Sequence, residues 1–116
     1  MRAVLLAVTL LFAACAPIVQ DQRAPGVTLT AVEHEGYVTY RVDARDPLDR
    51  LFLRFVGDDL EANAPECSLV AGALECVVGS VTAFYEVSIS GTVTNDWALP
   101  AGVACRDDCY PLYLTP

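Results

Sequence analysis

The chain has 116 residues, of which 54% are hydrophobic, 7 are basic and 15 are acidic, which gives a formal net charge of −8. This length indicates a single domain, and this hydrophobic content is enough to fill a core and excludes wholesale disorder. Because phosphate backbones repel so acidic a chain, we expect no nucleic acid partner. The acidic residues are scattered along the chain, a distribution that is typical of a solvated surface.

Residues 1–14 have the composition of an export signal. Arg2 supplies the positive charge, residues 3–11 form an apolar run, and two alanines stand directly before Cys15. Small residues before the cleavage site are typical of secretory signals. The apolar run is shorter than the roughly 18–20 residues that span a bilayer, which argues against a transmembrane anchor.

The same segment resembles the signal of bacterial lipoproteins, whose lipobox ends at the cysteine that signal peptidase II exposes. The resemblance implies that Cys15 is the first mature residue and carries acyl chains, and two or more such chains anchor a protein stably. Phe12 stands where these proteins more often carry Leu, and an ordinary secretory signal is the alternative. Ala16 stands where an Asp would retain the protein at the inner membrane. We therefore expect a lipid-anchored protein of the cell envelope that faces the periplasm or the cell exterior.

After a proline-containing tether, residues 15–26, the pattern changes to short runs in which apolar and polar residues alternate. Such runs predict strands, and no stretch has a sustained helical period. The expected strands cover residues 27–31, 38–42, 51–56, 68–70, 74–78, 82–94 and 110–114. We predict an all-β domain over residues 27–116, an antiparallel β-sandwich of about seven short strands. The polar stretch Gly57–Pro65 predicts an acidic loop, and Pro111 restricts the last strand to a sheet edge.

Four cysteines remain after Cys15, and an even number in a small exported domain predicts a disulfide framework. If Ala71-Gly72 is the two-residue loop of a hairpin, Cys67 lies directly opposite Cys76 at a non-hydrogen-bonded pair. The Cα atoms of such a pair are about 4.5 Å apart, a distance that a disulfide can bridge. A bulge would shift this register by one residue.

The stretch from Cys67 to Thr94 has two cysteines around a glycine turn, then Gly79, then a strand rich in Val, Thr and Ile. It resembles the C-terminal half of an immunoglobulin-like repeat, a domain of unknown function in bacterial surface proteins. The resemblance implies an immunoglobulin-like sandwich with a structural or interaction role, and it brings no catalytic residues. The additional pair Cys105 and Cys109 departs from that pattern.

Cys105 and Cys109 enclose three residues, and a disulfide between them would close a small acidic loop. Zinc ligation by the two thiolates is the alternative, but a zinc site needs a second pair or histidines. Cross-pairing of either residue with Cys67 or Cys76 also stays open.

Three further groups of residues are candidate sites. His34 lies between Glu33 and Glu35, and in an extended segment it points away from both, so a solvated turn is expected. Residues 57–61 with Asn63 carry enough oxygen donors for calcium but lack a known ligand spacing. Three aromatic residues could form a binding patch, although packing is their default role: Trp97, Tyr110 and Tyr113.

With one histidine and no lysine, the chain lacks the partners that activate a nucleophile, and we expect no enzyme activity and no cofactor. We predict a non-catalytic structural or protein-interaction module, attached to the membrane by its lipid and open to an envelope or surface protein partner. A calcium- or small-ligand-binding lipoprotein is the alternative.

Overall fold

A computed structural model describes residues 23–115 of the chain. The expected signal at residues 1–14, Cys15 and the tether as far as residue 22 lie outside the described residues. None of the described residues belongs to a helix long and apolar enough to cross a membrane.

Within that range the protein is all-β and antiparallel, as predicted. Its eight strands are β1 (Val27–His34), β2 (Tyr37–Ala44), β3 (Arg50–Ala62), β4 (Cys67–Val70), β5 (Ala73–Val78), β6 (Phe84–Val93), β7 (Gly102–Cys105) and β8 (Cys109–Leu112). The alternating residues form strands because every second side chain can enter a core while its neighbours face solvent.

Strand β3 belongs to two sheets and thereby organises the fold. In the first sheet, β1, β2, β6 and the C-terminal half of β3 follow one another. In the second sheet, β4 and β5 lie on one side of the N-terminal half of β3, and β7 and β8 lie on the other. The two sheets face each other, so that the ring of Tyr40 from the first lies 4.6 Å from the ring of Phe55 in the second, centroid to centroid.

Both sheets contribute to one core of buried side chains. Its largest members, all fully buried, are Phe55, Leu29, Leu51, Leu53, Ile89, Val42, Val87 and Cys76. In the N-terminal part of β3, every second side chain therefore faces this core, as the sequence pattern predicted. These are residues 51, 53 and 55.

The prediction of an acidic loop over Gly57–Pro65 is wrong for most of that stretch, because β3 continues to Ala62 and pairs there with β6. A bulge between Asp58 and Glu61 bends the strand into the first sheet, a typical effect of the extra residue. Gly91 in β6 lies against this bulge. Glycine is needed there because a Cβ at this position would meet the backbone oxygen of Asp59. The apolar residue of the stretch, Leu60, is buried in the core.

The chain end also differs from the prediction. Residues 102–105 form the unexpected strand β7, and the last strand, β8, ends at Leu112 rather than at residue 114. Pro111 lies in this strand opposite Val103, and β8 pairs with β7 alone, so the proline occupies the edge position that its missing N–H requires.

The predicted register of the cysteine hairpin is confirmed. Val70 pairs with Ala73, and Cys67 pairs with Cys76. The loop residues Ala71 and Gly72 have φ angles of 50° and 85°, which is typical of the tight turn that joins two-residue hairpins.

Candidate interaction surface

The outward face of the first sheet consists mainly of polar side chains that bind one another, with three exposed apolar or aromatic residues among them: Val32, Tyr37 and Phe84. The guanidinium of Arg41 contacts the carboxylate of Asp43 at 2.9 Å and that of Glu86 at 3.1 Å. The hydroxyl groups of Thr39 and Ser88 are 2.9 Å apart across β2 and β6. These partners are exposed or half-buried, and the pattern is typical of a solvated face.

The outward face of the second sheet carries a row of apolar residues instead. Phe52 in β3 pairs with Val77 in β5 on one side and with Val103 in β7 on the other. Val103 pairs in turn with Pro111 in β8. Because paired residues on one face are neighbours, these four side chains cross four strands in a single line.

This row is accessible to solvent, since Val77 is 65% exposed and Val103 is 36% exposed. Two shallow grooves flank it. One, of about 290 Å³, includes Phe52 and Val77, and the other, of about 400 Å³, includes Pro111 and Tyr113. We call the row, the grooves and the disulfide beside them the apolar face: Phe52, Val77, Val103, Cys105, Cys109, Pro111 and Tyr113.

Both grooves include Val103 and Cys109, so the apolar face is continuous. Cys105 and Cys109 pair at the turn end of the β7–β8 hairpin and are joined by a disulfide in the structure. Their sulfurs therefore do not serve as zinc ligands. The second bridge joins Cys67 to Cys76, so the cysteines pair locally and not across the two groups.

Two basic residues flank Phe52 on the same strand. Arg50 is exposed, and the guanidinium of Arg54 lies 3.4 Å from the carboxylate of Glu75 in β5. The pair is too exposed to add much to stability. Its effect is to place charged groups beside the apolar row, so that the face is amphipathic and not purely apolar.

The described chain begins at this same face. The guanidinium of Arg23 lies over the ring of Tyr113, 4.3 Å from its centroid, in the geometry of a cation–π contact. Thr115 then donates a backbone hydrogen bond to Leu29 at 2.7 Å. Both ends of the described chain are thus fixed close to β8 and to the groove that includes Tyr113.

His34 lies at the end of β1, beside the two-residue turn Glu35-Gly36. Its ring stacks on that of Tyr37, with the centroids 4.5 Å apart. The residues around the turn are exposed, in agreement with the solvated turn expected here.

The structure gives no support to a calcium site at residues 57–61. These residues belong to β3, in which successive side chains point to opposite faces of the sheet, so their oxygen atoms do not converge. The amide oxygen of Asn63 accepts a hydrogen bond from the backbone N–H of Ser88 at 3.0 Å. Among residues 23–115, no group of three or more His, Cys, Asp or Glu side chains could hold a metal ion.

The predicted aromatic patch is divided in the structure. Trp97 packs against the core near Tyr40, with ring centroids 6.0 Å apart. Tyr110 also packs against the core and borders the groove of the apolar face, and Tyr113 borders the same groove. The sequence prediction missed Phe52, Val77 and Val103. The sequence signal for these three residues is an apolar side chain at an outward position of a strand. Two of the strands were predicted, and the third, β7, was not.

Tyr85 joins the two sheets at the β4 edge. Its hydroxyl donates a 2.5 Å hydrogen bond to the carboxylate of Glu66 and lies 3.9 Å from the sulfur of Cys67. Burial, and then the bond to Glu66, raises the pKa of Tyr85 well above its usual value. The folded state therefore holds the phenolic proton more tightly than the unfolded state does.

This shift predicts a loss of stability at alkaline pH. A group with a raised folded-state pKa stabilises the fold fully below its ordinary pKa, about 10 for tyrosine, and loses that contribution as pH rises above it. At about pH 8, Tyr85→Phe should cost about 1 kcal/mol because the hydrogen bond is lost. By about pH 11 the free energies of unfolding of the two proteins should differ less, or Tyr85→Phe should be the more stable protein. Urea unfolding of both proteins at the two pH values measures this, and a difference that does not change with pH would contradict it.

No family model matches the sequence, and neither a curated protein nor a solved structure is significantly similar to it.

Proposed function

We propose that the protein is an exported, lipid-anchored module of the bacterial cell envelope that acts by surface contact and not by catalysis. The observation that carries this proposal is the apolar face, which lies on the outside of the second sheet. Small domains usually leave only limited contiguous apolar surface exposed, and larger patches rimmed by polar residues mark interaction sites.

The export signal and Cys15 supply the location in this proposal, and the cysteine pairs agree with it. Disulfides persist in oxidising compartments such as the periplasm and the cell surface. An immunoglobulin-like topology, as the resemblance over Cys67–Thr94 implies, is part of the same proposal. The two-sheet architecture supports it, because immunoglobulin-like domains consist of two antiparallel sheets packed face to face.

The anchor is tested by Cys15→Ala in the full chain. We expect the variant to leave the membrane fraction and to lose the acyl mass that the wild-type protein carries, because the acyl chains supply the hydrophobic anchoring. Fractionation with intact-mass measurement of both proteins decides this. A Cys67→Ala variant serves as the control, since it removes a cysteine without touching the anchor. Membrane retention of Cys15→Ala would overturn the assignment.

A further inference from the structure

We propose that the apolar face lies against the lipid surface to which the chain is anchored, so that the domain sits on the membrane in one orientation. This inference rests on the proposed lipidation of Cys15. It assigns a lipid surface as the occupant of the apolar face, where the proposed function by itself leaves a protein partner open.

The first argument is the reach of the tether. Eight residue steps separate Cys15 from Arg23, and a fully extended chain of that length spans at most about 28 Å. The surface at the attachment point therefore stays within about 28 Å of the bilayer.

The second argument is where the tether arrives. Arg23 lies over Tyr113, and Tyr113 borders the groove that contains Val103 and Pro111. The short tether therefore delivers the apolar face to the lipid surface. The outward side of the first sheet, whose apolar residues are interspersed with paired polar side chains, belongs to the opposite layer of the sandwich.

The third argument is the chemistry of the face. Tyrosine rings and arginine side chains combine an apolar body with a polar end, which suits the boundary between acyl chains and head groups. Here Tyr110 and Tyr113 border the apolar groove, while Arg50 and Arg54 flank Phe52. The guanidinium of Arg50 can reach lipid phosphates while the apolar row contacts the chains, whereas that of Arg54 is paired with Glu75.

A weak contact suffices because the tether keeps the face close to the lipid. Once the lipid anchor holds the protein at the membrane, the apolar face meets the lipid at an effective concentration in the millimolar range or above. The contact between the apolar face and the lipid therefore needs little affinity of its own. The whole chain is acidic, and anionic lipids repel it. We therefore expect an apolar contact that forms on zwitterionic lipid and does not depend on anionic lipid.

The test is site-specific photocrosslinking of the full-length protein in a bacterial host that lipidates exported proteins. The variant Val77→p-benzoylphenylalanine places the probe on the apolar face, at a side chain that is 65% exposed. The control is Thr28→p-benzoylphenylalanine, an exposed position on β1 that is nearer the tether in sequence than Val77 and belongs to the other sheet. We expect lipid adducts several-fold more abundant at position 77 than at position 28.

A second variant checks that the contact depends on the face itself. Adding Val103→Asp to the Val77 probe should reduce the lipid adduct several-fold, because it places a charge in the row. Since Val103 is partly exposed, the melting temperature should change little. An undiminished adduct would overturn the proposal.

The outcomes separate this inference from the proposed function. A protein adduct at position 77 would overturn the lipid contact but support an interaction module. Equal lipid adducts at positions 77 and 28, or none at either, would overturn the orientation while an acyl mass on Cys15 leaves the anchor intact. Absence of the acyl mass would overturn the anchor and this inference together.

Discussion

Phe55→Ala is expected to destabilise the domain by about 3–5 kcal/mol, the usual cost of removing a buried aromatic ring. Phe55 is fully buried and its ring contacts that of Tyr40 in the opposite sheet. The substitution therefore removes apolar contacts from both layers and leaves a cavity between them. A domain of this size is stable by only about 5–15 kcal/mol, so the loss is a large share of the total.

The matched control is Phe84→Ala. Phe84 is 50% exposed, and the guanidinium of Arg41 lies over its ring at 4.1 Å, a contact that contributes about 0.5–1 kcal/mol at an exposed site. Urea unfolding of the wild-type protein and both variants gives the comparison. If Phe55→Ala cost no more than Phe84→Ala, the two sheets would not pack on each other as described.

The features that the sequence predicted well are those set by short-range geometry. The alternation of apolar residues in β3 gave the buried positions, and the loop Ala71-Gly72 determined which residue lies opposite Cys67. In a two-residue hairpin the register follows from the loop alone. No distant strand has to be known for either prediction.

The features that the sequence did not predict depend on distant strands. Residues 57–62 have the polar composition of a loop, and they form a strand because β6, about thirty residues further along the chain, pairs with them. In the same way, Val77 and Val103 become neighbours of Phe52 only through pairing across β3. The apolar face could not be recognised until that order of strands was known.

The double substitution Cys67→Ala/Cys76→Ala is expected to cost about 2–4 kcal/mol, the usual contribution of a disulfide in a small domain. The bridge closes a loop with a sequence separation of nine, for which the loss of chain entropy alone gives about 2.5 kcal/mol. Cys76 is fully buried in the core, so truncating it adds a packing loss to the entropic one.

The second bridge provides the comparison, because it differs in both respects. Cys105 and Cys109 have a sequence separation of four, which lowers the entropic contribution to about 2 kcal/mol. Cys105 is buried at the margin of the core, less deeply than Cys76, and Cys109 is exposed. We expect Cys105→Ala/Cys109→Ala to be the milder variant.

Unfolding by urea ranks the two double variants, and hydrogen exchange locates the effect. Strand β4 has four residues and pairs only with β5, so loss of the Cys67–Cys76 bridge should increase exchange in this hairpin before the rest of the domain. Edge strands this short have few contacts of their own, and local opening is easiest where such contacts are few. If the two double variants were equally stable, or if β7 and β8 exchanged first in the Cys67→Ala/Cys76→Ala protein, the hairpin bridge would not have the central role inferred from its buried position.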